Sequence, residues 1–229
     1  MTDYYYSFFF GTYPYICLTV FVLGTLVRYD REQYSWRASS SQLLADKGLR
    51  IGNIMLHIGV IFIFFGHLVG LLTPHIVYEQ FVTAEQKQLL AIIAGGIAGA
   101  IGFIGLTILV FRRLFVGRIR ATSSKSDIAV LLILWVQITL GMVTIPFSLA
   151  HHDATIMLKL SEWAQHVLTF RGGASDYVVG MDWPFQVHLI LGMTIFLLFP
   201  FTRLVHMLSV PVKYIGRPYQ IVRNRKARK

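Results

Sequence analysis

The stretches IGNIMLHIGVIFIFFGHLVG (residues 51–70) and PFQVHLILGMTIFLLFPFTRLVHMLSV (residues 184–210) decide the fold of this chain. Each is apolar over a length that can cross a bilayer, which takes about 20 helical residues. Each also carries two histidines, so that the four are His57, His67, His188 and His206. Strongly polar side chains are rare inside membrane helices and usually mark function. The four imidazoles are therefore the first candidates for a functional site.

The composition places the chain in a membrane. Of its 229 residues, 55% are hydrophobic and only 14% are charged, and the charges cluster between long uncharged runs. An unpaired backbone amide in lipid costs several kcal/mol, so spanning segments must be helices or closed barrels. The unbroken apolar runs lack the alternation of a barrel strand. We therefore predict an all-α integral membrane protein with five transmembrane helices in a bundle.

The uncharged runs set the predicted organisation, a single membrane domain over 1–229. Transmembrane helices are predicted over about 4–27, 51–73, 88–112, 127–148 and 183–208. Apolar residues also recur at helical spacing beside charged ones after residue 154, which predicts an external surface helix over about 155–169. A basic cytoplasmic tail follows over 209–229.

The net charge of +10 is explained by sidedness. Five crossings place 28–50, 112–127 and the chain after residue 202 on one side, and these segments hold 18 of the 21 Lys and Arg residues. Lys and Arg are in excess on the cytoplasmic side. We expect a periplasmic N-terminus, a cytoplasmic C-terminus, and basic segments that contact membrane lipid or a partner subunit. No nucleic-acid partner is needed.

The four histidines can pair by depth, because the second and fifth helices run antiparallel. His67 and His188 then lie towards the outer face, and His57 and His206 towards the inner face. The steps along the helices are unequal, about 15 Å from His57 to His67 and about 27 Å from His188 to His206. Helix tilt and a bend expected at Pro200 must absorb that difference.

Two imidazole pairs at two depths favour two haems. Neutral imidazole is a strong iron ligand, and two axial imidazoles fill the iron and favour electron transfer. Cys17 is the only cysteine, so no covalent haem attachment motif exists. A lone membrane histidine is more often a hydrogen-bond partner between helices. A proton path would usually add acidic groups, which the five spans lack.

Several smaller features suggest helix contacts or further binding sites. A stripe of Gly59, Gly66 and Gly70 lets either a flat ligand or another helix approach the backbone, and Gly95-x-x-x-Gly99 predicts a close helix contact. The fourth helix is interpreted as scaffold, with Gln137 its one strongly polar residue. Finally, the neighbouring histidines His151 and His152 could bind a metal but have no evident third ligand.

The chain resembles the gamma subunit of respiratory nitrate reductase, a membrane cytochrome b, over nearly its whole length. The stretches that carry the resemblance are RYDREQYSWRASSSQ (28–42), HIGVIFIFFGHLVGLLTPH (57–75), RRLFVGRIRATSS (112–124), TIPFS (144–148), TFRGGAS (169–175) and HLILGMTIFLLFPFTRLVH (188–206).

The resemblance implies a function for each histidine pair and a quinol site that includes His67. His67 and His188 would ligate a distal haem b, and His57 and His206 a proximal haem b. A quinol, menaquinol or ubiquinol, would be oxidised near the periplasmic face beside Lys87, Gly66 and His67. Gln186 departs from the pattern, because an arginine is expected there.

The resemblance also implies partners on the cytoplasmic side. These are an iron–sulfur beta subunit and a molybdenum alpha subunit, which would receive the electrons for nitrate reduction in anaerobic respiration, since this chain has no segment that could house a nitrate-reducing site. Two other functions stay open at this point. One is the cytochrome b subunit of another quinone-linked complex, a hydrogenase or formate dehydrogenase. The other is a haem-free membrane anchor or proton-path protein.

Overall fold

A computed structural model describes residues 2–36, 47–151 and 153–209 of the chain. The described residues contain helices and turns and no strand, which confirms the all-α class. Five helices are long and apolar enough to cross a membrane. The spanning helices, called first to fifth below, are Asp3–Arg31, Leu49–Leu72, Ala84–Phe115, Lys125–Ala150 and Trp183–Phe201. The basic tail beyond Ser209 lies outside the described residues.

Local capping signals fix where the third and fourth helices begin. Thr83 and Gln86 form a capping box, in which the Thr83 hydroxyl accepts from the Gln86 amide at 3.3 Å and the Gln86 side chain accepts from the Thr83 amide at 3.1 Å. Ser124 caps the fourth helix by accepting from the Asp127 amide at 3.1 Å. Such caps satisfy amides that have no partner within the helix.

Glycines let the second and third helices pack backbone to backbone. A Cβ on Gly59 would lie 2.5 Å from the backbone of Gly102, and one on Gly105 would lie 2.5 Å from the amide nitrogen of Leu56. The predicted Gly95-x-x-x-Gly99 contact is wrong at Gly95, where a Cβ would meet nothing within 4 Å. Gly99 does lie close to another helix, since a Cβ there would be 3.2 Å from the sulfur of Met142 in the fourth helix. The close contact with the second helix lies further along the third helix, at Gly102 and Gly105.

Gly59→Ala should destabilise the protein because the new methyl group meets the Gly102 backbone, which cannot turn aside as a side chain can. Overpacking of this kind costs about 1–3 kcal/mol. Thermal denaturation of the detergent-solubilised protein should show a lower midpoint for Gly59→Ala. Gly95→Ala is the matched control and should leave the midpoint unchanged; equal midpoints for both variants would contradict the packing described.

The sequence predicts an unbroken fifth helix as far as residue 208, but the structure shows a break before that residue. Its α-helical part ends at Leu198, a 3₁₀ turn covers Phe199–Phe201, Thr202 is extended with φ −125° and ψ 177°, and a second 3₁₀ segment covers Arg203–Ser209. Proline lacks an amide hydrogen and its ring crowds the preceding turn, so the helix breaks there. The chain therefore changes direction between the two histidines that it carries.

An amphipathic helix, Thr155–Leu168, closes the end of the bundle that holds His67 and His188. The last carbonyls of a helix have no partner within it. Ser161 and Gln165 supply partners to the second helix, by donating to the carbonyls of Gly70 at 3.4 Å and Leu71 at 3.0 Å. The indole of Trp163 donates to the Phe10 carbonyl of the first helix at 2.9 Å. This end of the bundle is thus held by side-chain bonds to two spanning helices.

Candidate functional site

The structure brings the four histidines together as two pairs. The ring centroids of His67 and His188 are 6.2 Å apart, with 37° between the ring planes. The centroids of His57 and His206 are 6.3 Å apart, with 68° between the planes. These are the pairs expected from depth. The break at Pro200 removes the difference in helical spacing, because His206 follows a change of chain direction.

Both separations suit two imidazoles on opposite sides of one metal ion. An imidazole nitrogen binds a transition metal at about 2 Å and the ring centroid lies about 1 Å further back, so opposed rings have centroids about 6 Å apart. Aromatic rings in simple contact can have similar separations. The hydrogen bonds of the ring nitrogens therefore have to show whether each pair is arranged around a metal ion or is a simple contact of two rings.

Three of the four imidazoles have their Nδ1 atom occupied and their Nε2 atom available. Nδ1 lies 2.7 Å from the Asn53 carbonyl in His57 and 2.8 Å from the Ile63 carbonyl in His67. In His206 it lies 2.6 Å from the Arg203 carbonyl. A carbonyl oxygen can only accept, so each Nδ1 carries the hydrogen and each neutral ring keeps a lone pair on Nε2. Histidines that ligate metals are usually held in this way.

His188 is held differently, by the fourth helix. The amide nitrogen of Gln137 donates to the His188 carbonyl at 3.1 Å and lies 3.4 Å from ring Nε2. Glycines make room for both side chains, since a Cβ on Gly141 would lie 3.1 Å from the His188 ring and one on Gly192 would lie 3.2 Å from the Gln137 amide. Ring Nδ1 is buried and has no hydrogen-bond partner in the described part of the chain. This nitrogen could therefore donate a hydrogen bond to a bound ligand or bind a metal ion itself.

The donor set fits iron held in a macrocycle. Across the described ranges, no group of three or more His, Cys, Asp or Glu side chains could hold a metal ion, so each pair offers two nitrogens only. Two nitrogens leave a transition metal short of its usual four to six ligands, and a porphyrin supplies four in a plane. The second helix also stays accessible near His67, since a Cβ on Gly66 or Gly70 would meet nothing within 4 Å.

Lys87 lies near the start of the third helix, with its ammonium over the ring of Tyr78. The Nζ atom is 3.6 Å from the ring centroid, a cation–π contact. Tyr78 is 7% exposed, and burial raises the pKa of its hydroxyl above 10.0, with the Glu79 charge adding to the shift. Among the residues described, neither Lys87 Nζ nor the Tyr78 hydroxyl has a hydrogen-bond partner. Both remain able to bind a ligand oxygen.

Two other sequence features have clear structural roles. Gln186, at the departure from the expected pattern, donates to the Met181 carbonyl at 2.7 Å and to the Tyr6 hydroxyl at 3.3 Å, so it ties the fifth helix to the first. His151 Nδ1–H donates to the Phe147 carbonyl at 3.0 Å. The other half of that histidine pair, His152, lies outside the described residues.

Sequence reasoning missed two contributions to the site. The sequence predicts that the fourth helix is scaffold, whereas its residue Gln137 contacts His188. Gln137 is the one strongly polar residue of that span, and this is the sequence signal that marks it. The second contribution is Tyr78, whose ring contacts the Lys87 ammonium. Its position shortly after the second helix gave no sign of that contact.

Comparisons with known proteins indicate the family of this chain. The sequence matches the family described as nitrate reductase gamma subunit over residues 6–225. It is 53% identical to the respiratory nitrate reductase 2 gamma chain of Escherichia coli, over 99% of this chain and 100% of that protein. It is 51% identical to the respiratory nitrate reductase 1 gamma chain of the same organism, over 95% and 97%.

A more distant relative is the nitrate reductase gamma chain of Bacillus subtilis, 38% identical over 94% of this chain and 96% of that protein. With five spanning helices and these relatives, the chain is a multi-pass protein of the bacterial inner membrane that takes part in electron transport. It belongs to the nitrate reductase gamma subunit family, the cytochrome b membrane anchors of respiratory nitrate reductase.

Proposed function

We propose that this chain holds two haems b and oxidises quinol near the periplasmic face of the membrane. With both haems bound, electrons would pass through the distal and then the proximal haem to an iron–sulfur partner that serves nitrate reduction in the cytoplasm. The observation that carries this proposal is the presence of two imidazole pairs with centroids 6.2 and 6.3 Å apart. His57 and His67 lie on one continuous helix about 15 Å apart, so the pairs occupy two levels of the bundle.

Each haem would have one ligand from the second helix and one from the fifth helix or the 3₁₀ segment that follows it. His67 and His188 would bind the distal iron, and His57 and His206 the proximal iron. When bound, haem supplies one-electron redox chemistry, which suits the stepwise transfer of the two electrons of a quinol. The protein holds each ring by a hydrogen bond to its second nitrogen or by the contact with Gln137. The haem content of the purified protein tests this assignment, and two haems b per chain are expected.

The orientation follows from the distribution of basic residues. The segments 28–50, 112–127 and the chain after residue 202 hold 18 of the 21 Lys and Arg residues, which favours a cytoplasmic location for all three. The N-terminus and the pair His67–His188 would then face the periplasm. Protons released by quinol at that face stay outside while electrons move inward, so the reaction separates charge across the membrane.

The same basic segments are the proposed docking surface for the other subunits. The described residues hold no group of three or more metal-binding side chains that could carry a nitrate-reducing centre, so the electrons would leave this chain on the cytoplasmic side. An iron–sulfur beta subunit would receive them next to the pair His57–His206 and pass them to a molybdenum alpha subunit. Part of this surface, 37–46 and 210–229, lies outside the described residues.

Quinol would bind beside the distal haem, where Lys87, Gly66 and His67 are proposed to form its site. Lys87 is suited to this because its ammonium is buried against Tyr78 and, among the described residues, has no hydrogen-bond partner. A buried donor without a partner costs about 1–3 kcal/mol, and a quinol oxygen would remove that cost. Gly66 leaves the backbone open to a flat ring next to His67.

Lys87→Ala should weaken quinol binding while both haems stay bound, since Lys87 is not a haem ligand. Loss of one charge-assisted hydrogen bond is worth about 1.5–3 kcal/mol, or roughly 10- to 100-fold in affinity. Titration of a quinone analogue and the rate of haem reduction by quinol measure the effect. Lys159→Ala, which removes an exposed lysine from the amphipathic helix, is the control. Unchanged binding and kinetics in Lys87→Ala would make Lys87 an ordinary interfacial anchor.

A further inference from the structure

His206 differs from the other three proposed ligands in the backbone that presents it. His57, His67 and His188 lie within regular α-helix, whereas His206 lies in the 3₁₀ segment Arg203–Ser209, after the extended residue Thr202. A break of this kind leaves carbonyl groups without helical partners and does not by itself fix the direction of the following chain. The position of His206 must therefore be set by contacts with other elements.

The first of these contacts comes from Arg28, near the end of the first helix. Its Nη1 atom donates to two carbonyls of the break, at 2.6 Å to Pro200 and 2.8 Å to Thr202. Its Nε atom donates to the Ser35 hydroxyl at 3.2 Å. Hydrogen bonds from a guanidinium are about twice as strong as neutral ones, and its planar fork fixes direction as well as distance. Arg28 thus holds both sides of the break at once.

The second contact comes from Asp127, in the first turn of the fourth helix. Arg203 binds its carboxylate through two parallel contacts, Nε to Oδ1 at 2.7 Å and Nη2 to Oδ2 at 2.5 Å. Both side chains are largely shielded, with 23% and 18% exposure. The carbonyl of Arg203 accepts the hydrogen bond from His206 Nδ1–H at 2.6 Å. One residue therefore joins a carboxylate of the fourth helix to the imidazole of the proximal pair.

We propose that Arg28 and Asp127 are positioning residues for the proximal haem ligand His206. They fix the segment that carries its Nδ1 acceptor, and so set the plane of the imidazole and the strength of its hydrogen bond. Both quantities tune the electronic state of a ligated haem iron. The inference rests on the proposed function, because it assumes that His206 binds iron. In the described part of the chain, the rings of the pair His67–His188 are held by other groups, Gln137 and the Ile63 carbonyl.

The test compares the two haems of one protein. Asp127→Asn keeps the size of the side chain but removes its charge, and Asp127→Glu restores the charge. In the complete complex, the electron paramagnetic resonance signals and midpoint potentials of both ferric haems are measured, and each signal is assigned with variants that lack one ligand histidine. Asp153→Asn, an exposed aspartate outside the spans, is the matched control.

Asp127→Asn should shift the signal and the potential of the proximal haem and leave those of the distal haem unchanged. Asp127→Glu should restore at least part of the wild-type signal. An unchanged signal and potential of the proximal haem would overturn the inference. Equal shifts in the potentials of both haems would also overturn it, because they would show that the ion pair stabilises the bundle as a whole. If Asp127→Asn fails to assemble, Arg28→Lys decides by the same measurements, because it keeps the charge but loses the planar fork.

The proposed function fails in a different way. A wild-type protein with fewer than two haems would remove the basis for both proposals. Two haems in the wild type, with an unshifted proximal signal in both variants, would leave the proposed function intact and exclude only the positioning role.

Discussion

Replacing His67 with alanine should remove one haem per chain and abolish quinol oxidation together. His67 is half of the pair with His188, and its Nδ1–H bond to the Ile63 carbonyl leaves Nε2 for the iron. One imidazole does not hold a b-type haem that needs two, and the proposed quinol site adjoins the same ring. Haem content by pyridine haemochrome spectra and the rate of quinol-dependent nitrate reduction measure the two losses.

His151→Ala provides the matched control for that experiment. His151 makes the same kind of local bond, to the Phe147 carbonyl at 3.0 Å, but belongs to neither pair. Both haems and full activity should survive its replacement. A His67→Ala protein that keeps two haems would break the proposed pairing.

Replacing His206 with alanine should separate the two halves of the electron path. The variant should lose the proximal haem, because His57 would have no opposing ring at 6.3 Å. The distal site and Lys87 are untouched, so quinol should still reduce the remaining haem. Nitrate should then fail to reoxidise it, and the steady-state rate should fall to the background of the assay.

Stopped-flow spectra of the His206→Ala complex, first with quinol and then with nitrate, distinguish these steps. Rapid reoxidation by nitrate would contradict the proposed order of the two haems. A variant that still holds its distal haem but is no longer reduced by quinol would also contradict that order.

The fold class and the pairing of the histidines could be predicted from the sequence because both depend on local patterns. Uncharged runs of about 20 residues give the spans, and two histidines on each of two antiparallel helices allow only one pairing by depth. The unequal distances between the histidines along the two helices, about 15 Å and about 27 Å, are not explained by that pattern. Pro200 gave the correct signal, since its ring and missing amide hydrogen end the helix before His206.

Contacts between distant side chains could not be predicted in the same way. Gln137 contacts His188, which is 51 positions away in the sequence. Arg28 donates to the carbonyls of Pro200 and Thr202, which are 172 and 174 positions away. No periodicity in the sequence encodes such contacts. Likewise, the third helix has five glycines at short intervals, and only its register against Gly59 selects Gly102 for the close approach.

A redox titration of the purified protein's visible spectrum, with quinol as the donor, tests the central claim most directly. We expect two b-type haems per chain with separate midpoint potentials, both reduced by quinol. A colourless protein, or one haem per chain, would contradict the assignment of His57, His67, His188 and His206 as two pairs of axial ligands.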